Sequence, residues 1–298
     1  MMNMRNIILY SSLLLIGFAS CMDDDAPSAA LNVSLDKVEY RVGETVTFKF
    51  DGNPDNIVFY SGENGHNYAM KDRLYADNDL MVDFVLYTDQ VTAVHPNFQV
   101  KVSNDFNGIY DVENVNAATW VDISDQYTFP TTVKLNTSSG IQNLKSYAGE
   151  RDDAKLYIAF RYFDLGEPQT NRWVVRSINV DKISPEGVKT GLAVMSTAGW
   201  REVSISGAPT VWSISTAQLL SAGKKGQEND DWVITKGFDV KTSVPDTGVA
   251  LKNISTKMNE YQYVYTKPGT YKAVFATSSE WYSGTKRSLT EVIVEVKE

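Results

Sequence analysis

From Leu31 onward, apolar residues recur at every second position. Leu31, Val33 and Leu35 alternate with Asn32, Ser34 and Asp36, and Val46, Phe48 and Phe50 alternate with Thr45, Thr47 and Lys49. Successive side chains of an extended chain point to opposite faces, so this pattern puts one face of a strand in a core and the other in water. Ile57-Val58-Phe59-Tyr60 is a continuous apolar run, as in a strand covered on both faces. Gly43-Glu44 and Asp51-Gly52-Asn53-Pro54 supply the turns between these strands. After a polar loop at 61–73, the pattern predicts strands at 80–87, 98–103, 120–123, 156–163, 173–180, 203–206, 211–214 and 232–240. Tyr261, Tyr263 and Tyr265 alternate next. Pro268-Gly269 then turns the chain into a strand at 270–277, and Val292, Val294 and Val296 share one face of a last strand at 288–296. Only 215–222 reads as helix, with a Ser or Thr cap and Gly223 as its stop. The expected fold class is all-β with one short helix.

The first 20 residues depart from this pattern. Arg5 precedes an apolar run from Ile7 to Phe18, and small residues follow. This is the layout of a secretory signal peptide over residues 1–20, and the run is too short for a transmembrane helix of roughly 20 residues. Phe18-Ala19-Ser20-Cys21 resembles a bacterial lipobox, with Phe18 where Leu is usual. The resemblance implies lipidation of Cys21, the one cysteine of the chain; an ordinary signal peptide followed by a chance cysteine is the alternative. Asp23-Asp24-Asp25 opens an acidic linker over 21–30 and resembles the surface-export signal of Bacteroidetes-type lipoproteins. A plain solvated linker would look the same. The reading places the protein on the outer membrane, lipid-anchored and facing the cell exterior. A single acyl chain binds membranes only marginally, so the several chains of such lipoproteins matter.

Charge narrows the partners. Cleavage after residue 20 removes Arg5 and no acid, taking the formal charge from −9 to −10. That balance argues against nucleic acid, which requires clustered Lys and Arg, and against anionic headgroups. With Cys21 lipidated, no disulfide is available, and the cores alone must hold the mature chain. Two histidines, His66 and His95, are present. A zinc site of His and Cys ligands is therefore nearly excluded, and neither histidine lies in a recognisable catalytic motif.

The segment "VGETVTFKF" within 32–60 resembles the first half of an immunoglobulin-like domain of PKD type. "YVYTKPGTYKAVFAT" and "SLTEVIVEV" resemble the second half. Together 31–75 and 250–298 come close to the roughly 100 residues of such a sandwich. Either half alone would leave strand edges unpaired. The expected organisation is one immunoglobulin/PKD-like sandwich from 31–75 plus 250–298, split by a second domain at 76–249. Three consecutive small domains are the alternative. Within the insert, "VSNDFNG", "ATWVDIS" and "LYIAFRYF" resemble the galactose-binding-like jelly roll of Bacteroidetes surface lipoproteins classed as domain of unknown function 5017, as does "FDGNPDNIVFYSGENGH" before it. The resemblance implies a cell-surface lipoprotein acting in glycan capture beside outer-membrane uptake machinery. It supplies no catalytic residues.

Candidate chemistry then rests on aromatics, whose rings stack on the apolar faces of sugars. Trp120, Trp173 and Trp212 fall inside strand patterns and read as core. Trp281-Tyr282 lies in a loop between strands, Trp200 ends a loop, and Trp232 follows the polar run 227–231. These four are the candidate carbohydrate-binding residues. Asp77-Asn78-Asp79, and Asn104-Asp105 before Asn107-Gly108, could offer oxygens to a structural calcium, which jelly rolls of the resembled kind often hold; solvated turns are the plainer reading. No catalytic site is expected, and no other cofactor. The partner is expected to be a glycan or an outer-membrane protein. A groove of aromatics flanked by Asn, Gln or Asp would favour the glycan. A flat exposed aromatic face would favour a structural or adhesin-type subunit.

Overall fold

The structure is a computed structural model that describes residues 25–89, 94, 96–168, 171–207 and 212–298. Cys21, Asp23, Asp24 and His95 lie outside the described residues. The chain is almost entirely β, with its sheets in sandwich-like arrangement. It divides into two compact units, one from Met1–Glu63 with Gly248–Glu298, the other Asn64–Thr247.

The first unit has two sheets. Thr45–Asp51 runs between Asn32–Leu35 and Glu260–Val264 in a three-stranded sheet. The second sheet has five strands, in the order Val249–Lys252, Asn56–Tyr60, Gly269–Trp281, Gly284–Lys297 and Tyr40–Arg41; the last pair is parallel. The alternation produces the core. Val46, Phe48, Ile57, Phe59, Phe275, Val294 and Val296 are buried between the sheets, while Thr45 and Lys49 face outward. Ile57-Val58-Phe59-Tyr60 is only half covered on its second face, since Val58 and Tyr60 stay partly exposed.

The second unit also has two main sheets. One has the order Arg201–Gly207, Glu228–Ile234, Lys155–Leu165, Phe98–Ser103 and Val121–Asp122. The other has the order Trp212–Ile214, Leu219–Ala222, Arg172–Ile183, Asp79–Asp89 and Thr137–Ser138. Their facing sides enclose Val82, Phe84, Phe160, Ile178, Trp173 and Val233. The strand Lys155–Leu165 is buried on both faces, which explains its nearly continuous apolar sequence. Its outer face carries a second cluster, in which Tyr157, Ala159, Trp232 and Ile234 pack against Phe106 and Val115.

Two sequence expectations are corrected here. Residues 215–222 are not a helix. Ser215 Oγ accepts from the Gln218 N–H at 3.0 Å, and the Ser215 N–H donates to the Gln218 carbonyl at 3.0 Å, closing a tight turn into the strand Leu219–Ala222. A serine that caps a helix makes much the same local bonds in a turn, and the pairing with Arg172–Ile183 decides between them. Among the described residues the α-helix is Val112–Ala117, capped by Asp111, whose carboxylate accepts from the Asn114 N–H at 2.8 Å. The predicted strand 232–240 is two strands, Glu228–Ile234 and Phe238–Asp239. A Cβ at Gly237, between them, would meet the Tyr157 ring at 2.7 Å, so the chain passes there without a side chain.

Candidate functional site

The four candidate aromatics fall into two environments. Trp281 and Tyr282 sit at the tip of the hairpin formed by Gly269–Trp281 and Gly284–Lys297, 48% and 67% exposed, with ring centroids 5.7 Å apart and planes tilted by 48°. Trp200 and Trp232 are buried, 8% and 7% exposed, and Trp200 edges a depression of about 360 Å³ with Met195, Arg201 and Ile214. Trp200 stacks on Phe160 at 5.4 Å inside the second unit. Trp232 is edge-on to Trp120 at 5.2 Å, and its indole N–H donates to Asp230 Oδ1 at 3.0 Å. The polar run before Trp232 is therefore strand rather than loop. Asp230 takes a bidentate bond from Arg161, 2.8 Å on each oxygen, while Asn229 and Asp231 turn inward and are buried. Trp120 precedes its strand and packs on Phe106, half-buried; Trp173 and Trp212 are core.

A different group of aromatics forms a cleft in the second unit. It encloses about 590 Å³ and is lined by Phe98, Tyr127, Phe129 and Trp173, with Gln99, Asp122, Ser124 and Asp125 on its polar side. Phe98 is 5.1 Å from Trp173, and Phe129 stands edge-on to both, at 6.0 and 6.2 Å. Hydrogen bonds fix these walls. The Trp173 indole N–H donates to Asn97 Oδ1 at 2.7 Å, and Gln99 Oε1 accepts from Arg161 at 2.8 Å. Asp122 accepts from both the N–H and the hydroxyl of Ser124, at 3.0 and 2.6 Å. Asp125 is exposed, and Phe129 is half-buried, leaving ring surface open to solvent. Chemically this is an apolar floor with acceptors along one side, in a volume suited to a small molecule or a short oligosaccharide. The sequence signal was Phe129, a loop aromatic before Pro130, and it was missed.

A second cavity, of about 480 Å³, lies at residues 64–78, 182–190 and 242–247. Its charges are already engaged. Arg73 pairs with Glu186 and holds that carboxyl well below the usual range. Lys182, whose pKa is lowered by burial, donates to the Thr242 carbonyl at 2.6 Å. His66 Nδ1 lies 2.7 Å from the Thr247 carbonyl, a local bond of the kind expected for a loop histidine.

In the two stretches considered for calcium, Asp77 Oδ2, Asp79 Oδ1 and Asp105 Oδ1 each face a protein donor. Asp77 and Asp79 flank Lys145 at 2.6 and 3.7 Å, and the Asn78 amide donates to the Val240 and Thr242 carbonyls. Asp105 accepts from the Ser103 hydroxyl and the Thr119 N–H. Among the described residues no helix is long and apolar enough to cross a membrane.

The sheets and the cleft define an all-β sandwich protein with an aromatic, acceptor-lined depression. Residues 20–200 match the family described as Domain of unknown function (DUF5017), and the chain belongs to that family. No curated protein matches the chain. Among solved structures, lectin II from Ulex europaeus aligns over 71% of this chain and 94% of its own, at 9% identity and a TM-score of 0.10; so low a likeness carries no argument.

Proposed function

We propose that the protein is a cell-surface lipoprotein that binds a polysaccharide or glycoconjugate, held to the outer membrane by acyl chains on Cys21 and accessory to glycan uptake. The observation that carries this reading is the cleft in which the half-exposed Phe129 ring, backed by the buried Phe98 and Trp173, stands beside Gln99, Asp122 and Asp125. A sugar ring lays its apolar face on an aromatic surface and donates hydroxyl hydrogens to carboxylate and amide oxygens. The acidic balance, −9 over the whole chain, suits a neutral or basic glycan better than a polyanionic one. On this reading residues 64–247 form a binding domain set into a sandwich built from the two ends of the chain.

A second reading has a specific observation behind it. Trp281 and Tyr282 project from the hairpin tip, and Leu289 and Ile293 are half exposed along the same hairpin. Such a surface suits a protein partner, as in a structural or adhesin-type subunit.

Affinity electrophoresis of the purified protein through a panel of polysaccharides separates the two. Retardation by one glycan class is expected, with at least a tenfold loss in Asp125→Ala combined with Phe129→Leu, and little change in Trp281→Ala. Loss in Trp281→Ala alone moves the site to the hairpin. No retardation by any glycan removes the sugar reading and leaves the protein-partner one.

A further inference from the structure

The interior of the second unit contains a group of oxygens that the protein leaves unbonded. Asn229 and Asp231 stand two residues apart on Glu228–Ile234 and face inward, 5% and 2% exposed. Their register partners on Lys155–Leu165 are Asp164 and Tyr162, both buried, so the four side chains form one patch on the inner side of that sheet. From the facing sheet comes Ser221, fully buried and paired in register with Trp212. The Trp212 indole N–H crosses to the Asp231 carbonyl at 3.2 Å, so the side of the strand that carries Ser221 looks onto Asp231. Two residues further, the Tyr162 hydroxyl fills the space at Gly223, accepting from the Gly223 N–H at 3.1 Å and donating to Asp164 Oδ2 at 3.2 Å, while Asp164 Oδ1 accepts from the Gly166 and Glu167 N–H groups at 3.1 Å each, so that carboxylate is already bonded.

Asp231 Oδ2, Asn229 Oδ1 and Ser221 Oγ are buried and have no hydrogen-bond partner. The first two can only accept, and a hydroxyl oxygen can also accept. Buried polar atoms are nearly always satisfied, so three together require an explanation. Charge makes the same demand. Asp230, on the outer side, has Arg161, yet among the described residues no ion pair reaches Asp231. A buried water would donate two hydrogens and leave the charge uncompensated.

We propose that the inter-sheet space between Asp231, Asn229 and Ser221 binds a hard divalent cation of the calcium type. Calcium takes carboxylate, amide and hydroxyl oxygens together, in flexible geometry. One carboxylate oxygen, one amide oxygen and one hydroxyl oxygen make an all-oxygen set, without the nitrogen and sulfur ligands that a transition metal prefers. The cation would tie Glu228–Ile234 to Leu219–Ala222 across the core. The glycan reading is not needed for it.

Terbium(III) substitutes for calcium and is excited through a nearby tryptophan, a position Trp212 occupies. The purified full-length protein is stripped with EDTA and titrated with terbium. Sensitised emission is expected to saturate at one equivalent and to be displaced by calcium. It should fall at least tenfold in Asp231→Asn and in Ser221→Ala, two variants that replace different ligands and are each checked for folding by circular dichroism. Calcium is also expected to raise the unfolding temperature of the wild type and not of a folded Asp231→Asn. Absence of emission in the wild type overturns the proposal. So does emission that persists in every folded variant while unfolding stays indifferent to calcium and EDTA.

Discussion

Phe275→Ala is expected to destabilise the first unit by about 3–5 kcal/mol, the usual cost of removing a buried phenyl ring. Phe275 is fully buried and sits among three other rings, 5.1 Å from Phe48, 5.3 Å from Phe50 and 5.0 Å from Phe59. Those rings come from residues 48–59, while Phe275 comes from the other end of the chain. The core therefore forms only when strands more than 200 residues apart in sequence meet. A domain typically has about 5–15 kcal/mol in hand, so the variant should keep only a fraction of its stability. Urea unfolding followed by near-ultraviolet circular dichroism reads the effect. A loss under about 1 kcal/mol would mean that these rings do not make the core of the unit.

Trp173→Ala is expected to cost the second unit a similar amount, about 3–5 kcal/mol, with about 1–3 kcal/mol more for the acceptor it leaves behind. The indole is 2% exposed, packs 5.1 Å from Phe98 and donates to Asn97 Oδ1. Without it, Asn97 Oδ1 retains only a 3.4 Å contact from the Asn171 amide. Trp173→Phe separates the two contributions. It keeps a ring against Phe98 and loses the hydrogen bond, so its stability should fall between wild type and Trp173→Ala. Both variants also alter the floor of the cleft, and glycan retardation should decline in the same order as stability. If Trp173→Phe is as unstable as Trp173→Ala, the hydrogen bond and not the ring carries the site.

The strands were the most legible part of the chain. In Thr45–Asp51 and at the end of the last strand the period of two matches burial: Val46, Phe48, Val294 and Val296 are buried, while Thr45, Lys49, Ile293 and Glu295 face water; earlier in the last strand Leu289 is exposed although apolar. Local signals failed where tertiary pairing outweighed them. Ser215 reads as a helix cap, but the following leucines are claimed by a neighbouring strand. The helix Val112–Ala117 is only 6 residues long, too short for a 3.6-residue period to show. Position in a polar run misled about Trp232, because the carboxylates beside it are consumed within the sheet, Asp230 by Arg161 and by the indole itself. Exposure of Trp281 and Tyr282 follows directly from a two-residue hairpin turn that the sequence placed only as a loop between strands.

The cleft was not legible in the same way. Phe98, Phe129 and Trp173 belong to different stretches, and each alone reads as an ordinary core or loop aromatic. They meet because Phe98 lies at the start of one strand, Trp173 near the start of another in the facing sheet, and residue 129 crosses between. No spacing rule along the chain encodes that meeting. The unbonded oxygens of Asp231, Asn229 and Ser221 are hidden for the same reason, since only register and the facing sheet bring them together.

A crystal structure of the protein soaked with a short oligosaccharide of the retarding glycan tests the central claim most directly. The account predicts density for a sugar ring against Phe129, with its hydroxyls within hydrogen-bond distance of Asp125 or Gln99. Density over Trp281 and Tyr282 with the cleft empty of sugar would contradict it.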